Sequence, residues 1–154
     1  MGEFFGSMYC WFEDFFGLDL ANYLWGDTSP MSDTNSFIGV GLSMFIISLL
    51  LVVAYYYAID HPRLSHWWGW GIFLLANAII NFVVGWQYVL KDYYAGKMVT
   101  IDPSTDLQTP LDIGESEILC FGVSNMLLAI VVFFVFSLGI KWWSRNCSQA
   151  PFVS

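Results

Sequence analysis

Four polar side chains set in otherwise apolar sequence, Ser48, Asn77, Asn81 and Asn125, are the residues whose placement invites chemistry. An asparagine amide carries an acceptor oxygen and two N–H donors, so in an apolar medium it must find partners. Asn77 and Asn81 are four residues apart, which puts them on one face of a helix, and Ala78, Gly85 and Tyr88 continue nearly the same face. Asn125 sits beside Gly122 and Ala129, while Gly41, Ser48 and Tyr55 repeat every seven residues. Small residues let helices approach closely, and Asn bonds across them at about 0.6 kcal/mol per contact on average in membranes. Packing between helices is therefore the first expectation for these stripes. The alternative is a polar conduit or ligand site lined by the same amides. Proton-coupled transport is excluded as an expectation, because such carriers need an ionisable group within the membrane and none lies in these runs.

A second constellation lies at the N-terminus. Residues 3–16 place Phe4, Phe5, Met8, Trp11, Phe12, Phe15 and Phe16 at helical spacing, with Glu3, Ser7, Cys10 and Asp14 on the opposite face. This pattern predicts one amphipathic helix, ended by Gly17 and followed by a shorter helix from Asp19 through Trp25. Helices that lie on membranes usually carry Lys or Arg on the polar face; this one carries only acids. Two uses follow. The helix packs on its own bundle at the interface, or Phe4, Phe5, Trp11, Phe12, Phe15 and Phe16 dock into a partner.

Other combinations are weaker. Asp60, His61 and His66 are metal-ligand types, but the loop holding them is only a few residues long, and no metal site is expected. The acids of the 91–116 region lack the Asp-x-Asp-x-Asp-Gly order of a calcium loop. Cys10 and Cys120 are placed on one side of the membrane by the topology below, so a bridge between them is allowed. Asn146-Cys147-Ser148 is a formal glycosylation sequon on the opposite side, where it would not be used. No nucleophile–base pair, phosphate loop or repeat is present; neither enzyme activity nor a cofactor is expected.

The elements that must hold these residues follow from composition. Hydrophobic residues make up 57% of the 154, charged residues only 12%, and the mean hydropathy is +0.60. A soluble globule of that composition would expose apolar patches far beyond what monomers tolerate. Three runs, 37–59, 67–90 and 117–140, hold 23 or 24 residues each and are free of charge inside. At about 1.5 Å per residue each crosses a hydrocarbon layer of about 30 Å. The expected fold is an all-α integral membrane protein: three transmembrane helices preceded by an N-terminal amphipathic interfacial helix. Its parts are the helical segment 1–26, a linker 27–36, the bundle 37–140 with an acidic loop 91–116, and a tail 141–154. Asn35 and Ser36 are expected to cap the first span, Ser65 the second, and Asp112 with Glu115 to form a capping box before the third. Met98–Ile101 has the composition of a short strand.

Three crossings put the N-terminus and the 91–116 loop on one side and the 60–66 loop and tail on the other. Arg63, Lys141 and Arg145 lie on the second side, against Lys91 and Lys97 on the first. That bias predicts the N-terminus outside and the C-terminus in the cytoplasm, in a plasma or inner membrane. All of the thirteen acids except Asp60 fall on the first side. Five Lys and Arg against thirteen acids give a net charge of −8 and argue against nucleic acid as a partner. The first basic residue is Arg63, so a cleavable signal peptide is not expected. The expected partners are the lipid bilayer and either further copies of the chain or other membrane proteins. The leading functional expectation is a small subunit that acts by association, as a scaffold, assembly or accessory component; a self-assembling pore, or a binder that inhibits another membrane protein, are the alternatives.

Overall fold

The computed structural model describes residues 2–26, 35–59, 66–101 and 107–143. Asp60, His61, Ser65, Asn146, Cys147 and Ser148 lie outside them, and with them the expected Ser65 cap and the sequon. Among the described residues the fold is all-α apart from one short hairpin. Helices α1 (Gly2–Cys10), α2 (Glu13–Phe16) and α3 (Leu18–Trp25) precede α4 (Ser36–Val53), which continues as a π-helical stretch over Ala54–Ile59. Next come α5 (Trp67–Tyr94), strands β1 (Val99–Ile101) and β2 (Gln108–Pro110), and α6 (Glu115–Ile140), which ends in a 3₁₀ turn at Lys141–Trp143. Three helices, Ser36–Tyr57, Trp67–Tyr94 and Glu115–Ile140, are long and apolar enough to cross a membrane. The protein is membrane-embedded, as the charge-free runs require.

Local chemistry accounts for the boundaries. Phe37 N–H donates to Asn35 Oδ1 at 3.0 Å, so Asn35 caps α4 as its side-chain type predicts. At α6 the expected box shifts by two residues: Gly114 N–H donates to Glu117 Oε2 at 3.2 Å, and Asp112 is exposed. Glu117 satisfies an otherwise orphaned donor and lies where the helix dipole favours negative charge. Helix α5 runs four residues past Leu90, to Tyr94, because Lys91 and Asp92 extend it beyond the apolar run. The expected strand at 98–101 is β1, paired antiparallel with β2 through Val99↔Pro110, Thr100↔Thr109 and Ile101↔Gln108.

The largest departure is at the N-terminus, where the single helix expected over 3–16 is broken at Trp11–Phe12. Phe12 N–H reaches back to the Tyr9 carbonyl at 2.9 Å, and Phe12 itself has φ −118° and ψ 10°, outside the helical range. Tertiary packing overrides the 3.6-residue pattern, since the break redirects α2 so that Phe16 is fully buried.

The chain divides into two compact units, one made of residues 1–42 and 82–125, the other of 43–81 and 126–154. The first holds α1 to α3, the hairpin and the adjoining parts of the long helices. The N-terminal segment and the acidic loop, which the sequence puts on one side of the membrane, thus fall in one unit. The second has a core of Val52, Tyr55, Tyr56 and Phe133, with Trp70 and Phe73 packed against it. Tyr55 and Tyr56 are fully buried, whereas Tyr57, Trp67, Trp68 and Trp142 are exposed. Tyr55 and Tyr56 belong to the interior: the π-helical stretch begins just before them, and Tyr55 packs on Phe73 with centroids 5.3 Å apart.

Candidate functional site

The intramembrane amides form a connected network in the second unit. Asn77 is its hub: its Oδ1 accepts from Ser48 Oγ at 3.1 Å and from Asn81 Nδ2 at 3.0 Å, and its own Nδ2 donates to the Ala129 carbonyl at 2.9 Å. Asn81 Nδ2 also reaches the Asn77 carbonyl at 3.0 Å. Ser48, Asn77 and Asn81 are all fully buried. The network ties α4, α5 and α6 together by side-chain bonds in a region otherwise held by dispersion and small-residue fit. Close by in sequence, Trp70 Nε1–H donates to the buried Ser137 Oγ at 3.1 Å, a link between α5 and α6 that sequence reasoning did not find.

Asn125 has a different role and belongs to the first unit. Tyr9 Oη donates to Asn125 Oδ1 at 2.5 Å, joining α1 to α6, and Gly85 leaves the space the Asn125 amide fills: a Cβ at position 85 would lie 2.8 Å from its Nδ2. Burial pushes the Tyr9 phenol far above its ordinary value, so it remains a donor at any physiological pH.

Around Tyr9 the N-terminal segment makes an aromatic box. Tyr9 stacks on Phe37 at 5.1 Å and meets Phe121 at 5.4 Å; Phe16 approaches Phe121 edge-on at 5.3 Å, and Trp25 does the same to Phe37 at 5.7 Å. Such pairs contribute about 0.5–1.5 kcal/mol each beyond burial. Two rings are held by glycines. A Cβ on Gly41 would fall 2.2 Å from the Phe5 ring, and one on Gly6 would fall 2.1 Å from Trp25. Backbone atoms alone fit beneath these rings.

Polar contacts complete the anchoring. The Tyr23 phenol is pushed up to about 12, first by burial and then by the Asp92 carboxylate to which it bonds. Asp92 also pairs with Lys97 at 3.0 Å. Because Tyr23 is protonated in the folded chain up to about 12 but only to about 10 when unfolded, its contribution is complete below pH 10 and is lost as pH rises through 12. Alkaline melting should therefore show a fall in stability over this window that Tyr23→Phe flattens, read by following denaturation of the wild type and the variant side by side. Cys10 and Cys120 are both free thiols. Burial raises the Cys10 thiol, the nearby Glu13 adds to this, and a bond to Trp25 opposes it; the net effect suppresses the reactive thiolate.

The six aromatic residues singled out at the N-terminus separate into two sets. Phe5 and Phe16 are buried within the chain and Phe12 is partly so, whereas Phe4, Trp11 and Phe15 are 59%, 82% and 52% exposed. Leu18 joins the exposed set, and Glu3, Asp14 and Asp19 are exposed beside it. Tyr9, the centre of the box, was missed; its spacing four residues after Phe5 and seven before Phe16 was the available signal. Among the described residues no group of three metal-ligating side chains is gathered. No family model, curated protein or solved structure matches the chain.

Proposed function

We propose that this protein is a small integral membrane subunit that works by association, and that the outward rim of its N-terminal segment is the contact. The carrying observation is Trp11, 82% exposed together with Phe4 and Phe15 on a segment that Phe5, Tyr9 and Phe16 anchor by burial and whose Phe5 and Trp25 rings lie over Gly41 and Gly6. Aromatic side chains displayed from an immobilised backbone lose little entropy on binding, which is why they dominate interface energetics. Phe4, Trp11, Phe15 and Leu18 supply anchors, and Glu3, Asp14 and Asp19 surround them with negative charge. No Lys or Arg occurs before Arg63, so anionic headgroups repel this rim rather than attract it. The complementary surface is another membrane protein that offers an apolar hollow bordered by Lys or Arg. We place the N-terminus outside and the tail in the cytoplasm of a plasma or inner membrane, on the distribution of Lys and Arg; reporter fusions at the two ends check this.

The pore reading has less support. A lumen needs polar groups turned to water, and Ser48, Asn77 and Asn81 bond to one another and to Ala129 with no exposed surface. Vesicles carrying the protein should pass no more ions than empty ones, with Asn81→Leu indistinguishable from wild type; a flux that Asn81→Leu removed would restore the pore. The association reading itself is tested by extraction in mild detergent. A stoichiometric complex that survives Phe5→Leu but dissociates on Trp11→Glu is expected, and a lone monomer for wild type would contradict it.

A further inference from the structure

We propose that a groove on α5, far in sequence from the N-terminal rim, seats one acyl chain of a bilayer phospholipid. The groove lies within the second unit and is an open cleft of about 390 Å³, inside the range of about 300–1,000 Å³ typical of small-molecule clefts. Trp67, Trp68, Gly71, Leu75, Ala78 and Ile130 are among its lining residues, none of which is charged. Its floor is made by two small residues seven apart: a Cβ built at Gly71 meets no atom within 4 Å.

Membrane embedding identifies the occupant. Ile72 and Leu75, 59% and 61% exposed, make the groove continuous with a face of α5 that a spanning helix turns to hydrocarbon. Trp67 and Trp68, with ring centroids 4.2 Å apart, stand at the first turn of the span, where amphipathic rings sit at headgroup level. From that rim the floor runs from Gly71 to Ala78, about 10 Å along the helix axis. A flexible, wholly apolar chain entering at the headgroup level and lying along such a floor fills it without stranding a polar atom. A helix from a second copy fits less well. Close helix pairing needs small residues flush with the contact surface, and here the large side chains of Trp68, Leu75 and Ile130 line the same groove as the small pair.

The test uses the full chain in nanodiscs of phosphatidylcholine carrying a photoreactive diazirine on one acyl chain, with labelled residues mapped by peptide mass spectrometry. Label at 67–78 and Ile130 should exceed that at the equally lipid-exposed Leu50 and Val135 by about ten-fold, the measure of roughly 1.4 kcal/mol of preference. Gly71→Leu fills open space and should remove that excess. Unchanged label at Leu50 and Val135 in the variant would establish that the bundle is still inserted and folded. Even labelling of all exposed apolar residues would overturn the proposal in favour of ordinary boundary lipid. Disulfide-linked dimers of Gly71→Cys would overturn it in favour of a second copy.

Discussion

Gly41→Leu should detach the N-terminal segment from α4 while leaving the three spanning helices inserted. The new side chain begins 2.2 Å from the Phe5 ring, so one of the two must leave. Overpacking costs typically about 1–3 kcal/mol and loss of a buried Phe about 3–5, which puts the expected destabilisation of the docked segment near 3 kcal/mol. Limited proteolysis in detergent provides the measurement: wild type resists cleavage within 2–25 and the variant is cut there, with the spanning helices untouched. Phe5→Ala alone weakens docking by a similar amount. The double variant should be markedly less damaged than the sum of the two, since leucine then occupies the volume the ring vacated. Strict additivity would mean that ring and glycine do not share a site.

Asn77→Leu should be the most damaging single change to the polar network inside the membrane. It removes the acceptor for Ser48 and Asn81 and the donor to Ala129 in one step, at nearly constant side-chain volume. At about 0.6 kcal/mol per membrane hydrogen bond the expected loss is roughly 2 kcal/mol, whereas Ser48→Ala removes one bond and about a third of that. Unfolding in mixed micelles by increasing amounts of a denaturing detergent measures both. Equal losses for the two variants would mean that Asn77 is not the hub.

Much of this architecture is legible in the residues because lipid imposes so few solutions. A run of 23 apolar residues without charge must satisfy its backbone internally, so Phe37–Ile59 reads as a helix before any contact is known. The Asn35 cap is equally local, since acceptor and donor are two residues apart. The stripes of Asn77 and Asn81 foretold buried amides, and these are what the fold contains. What periodicity leaves open is which stripe meets which: Asn125 looks like a third member of the same set, yet its bond is to Tyr9, over a hundred residues away. The glycine notches were illegible for the same reason, because Gly6 and Gly41 gain meaning only once Trp25 and Phe5 lie over them. The helix break at Trp11–Phe12 falls in this class as well. A continuous 3.6-residue pattern predicts one helix, and only the demand of Phe37 and Phe121 for both Tyr9 and Phe16 explains two. Hydrophobic amplitude likewise could not tell Phe5 from Phe4; their neighbours in space decide which is buried and which is displayed.

The central claim is that Phe4, Trp11 and Phe15 are displayed to a protein partner. Site-specific photocrosslinking in the native membrane addresses it most directly, with benzoylphenylalanine introduced singly at Trp11 and Phe15, and at Leu50, a residue comparably exposed on the lipid-facing helix α4. The account predicts one discrete protein adduct of the same mass from positions 11 and 15, lost when Glu3 and Asp14 are replaced by Lys, and none from position 50. Lipid adducts alone from positions 11 and 15, matching those from position 50, would contradict it and return the N-terminal segment to the role of an interfacial helix that serves only its own bundle.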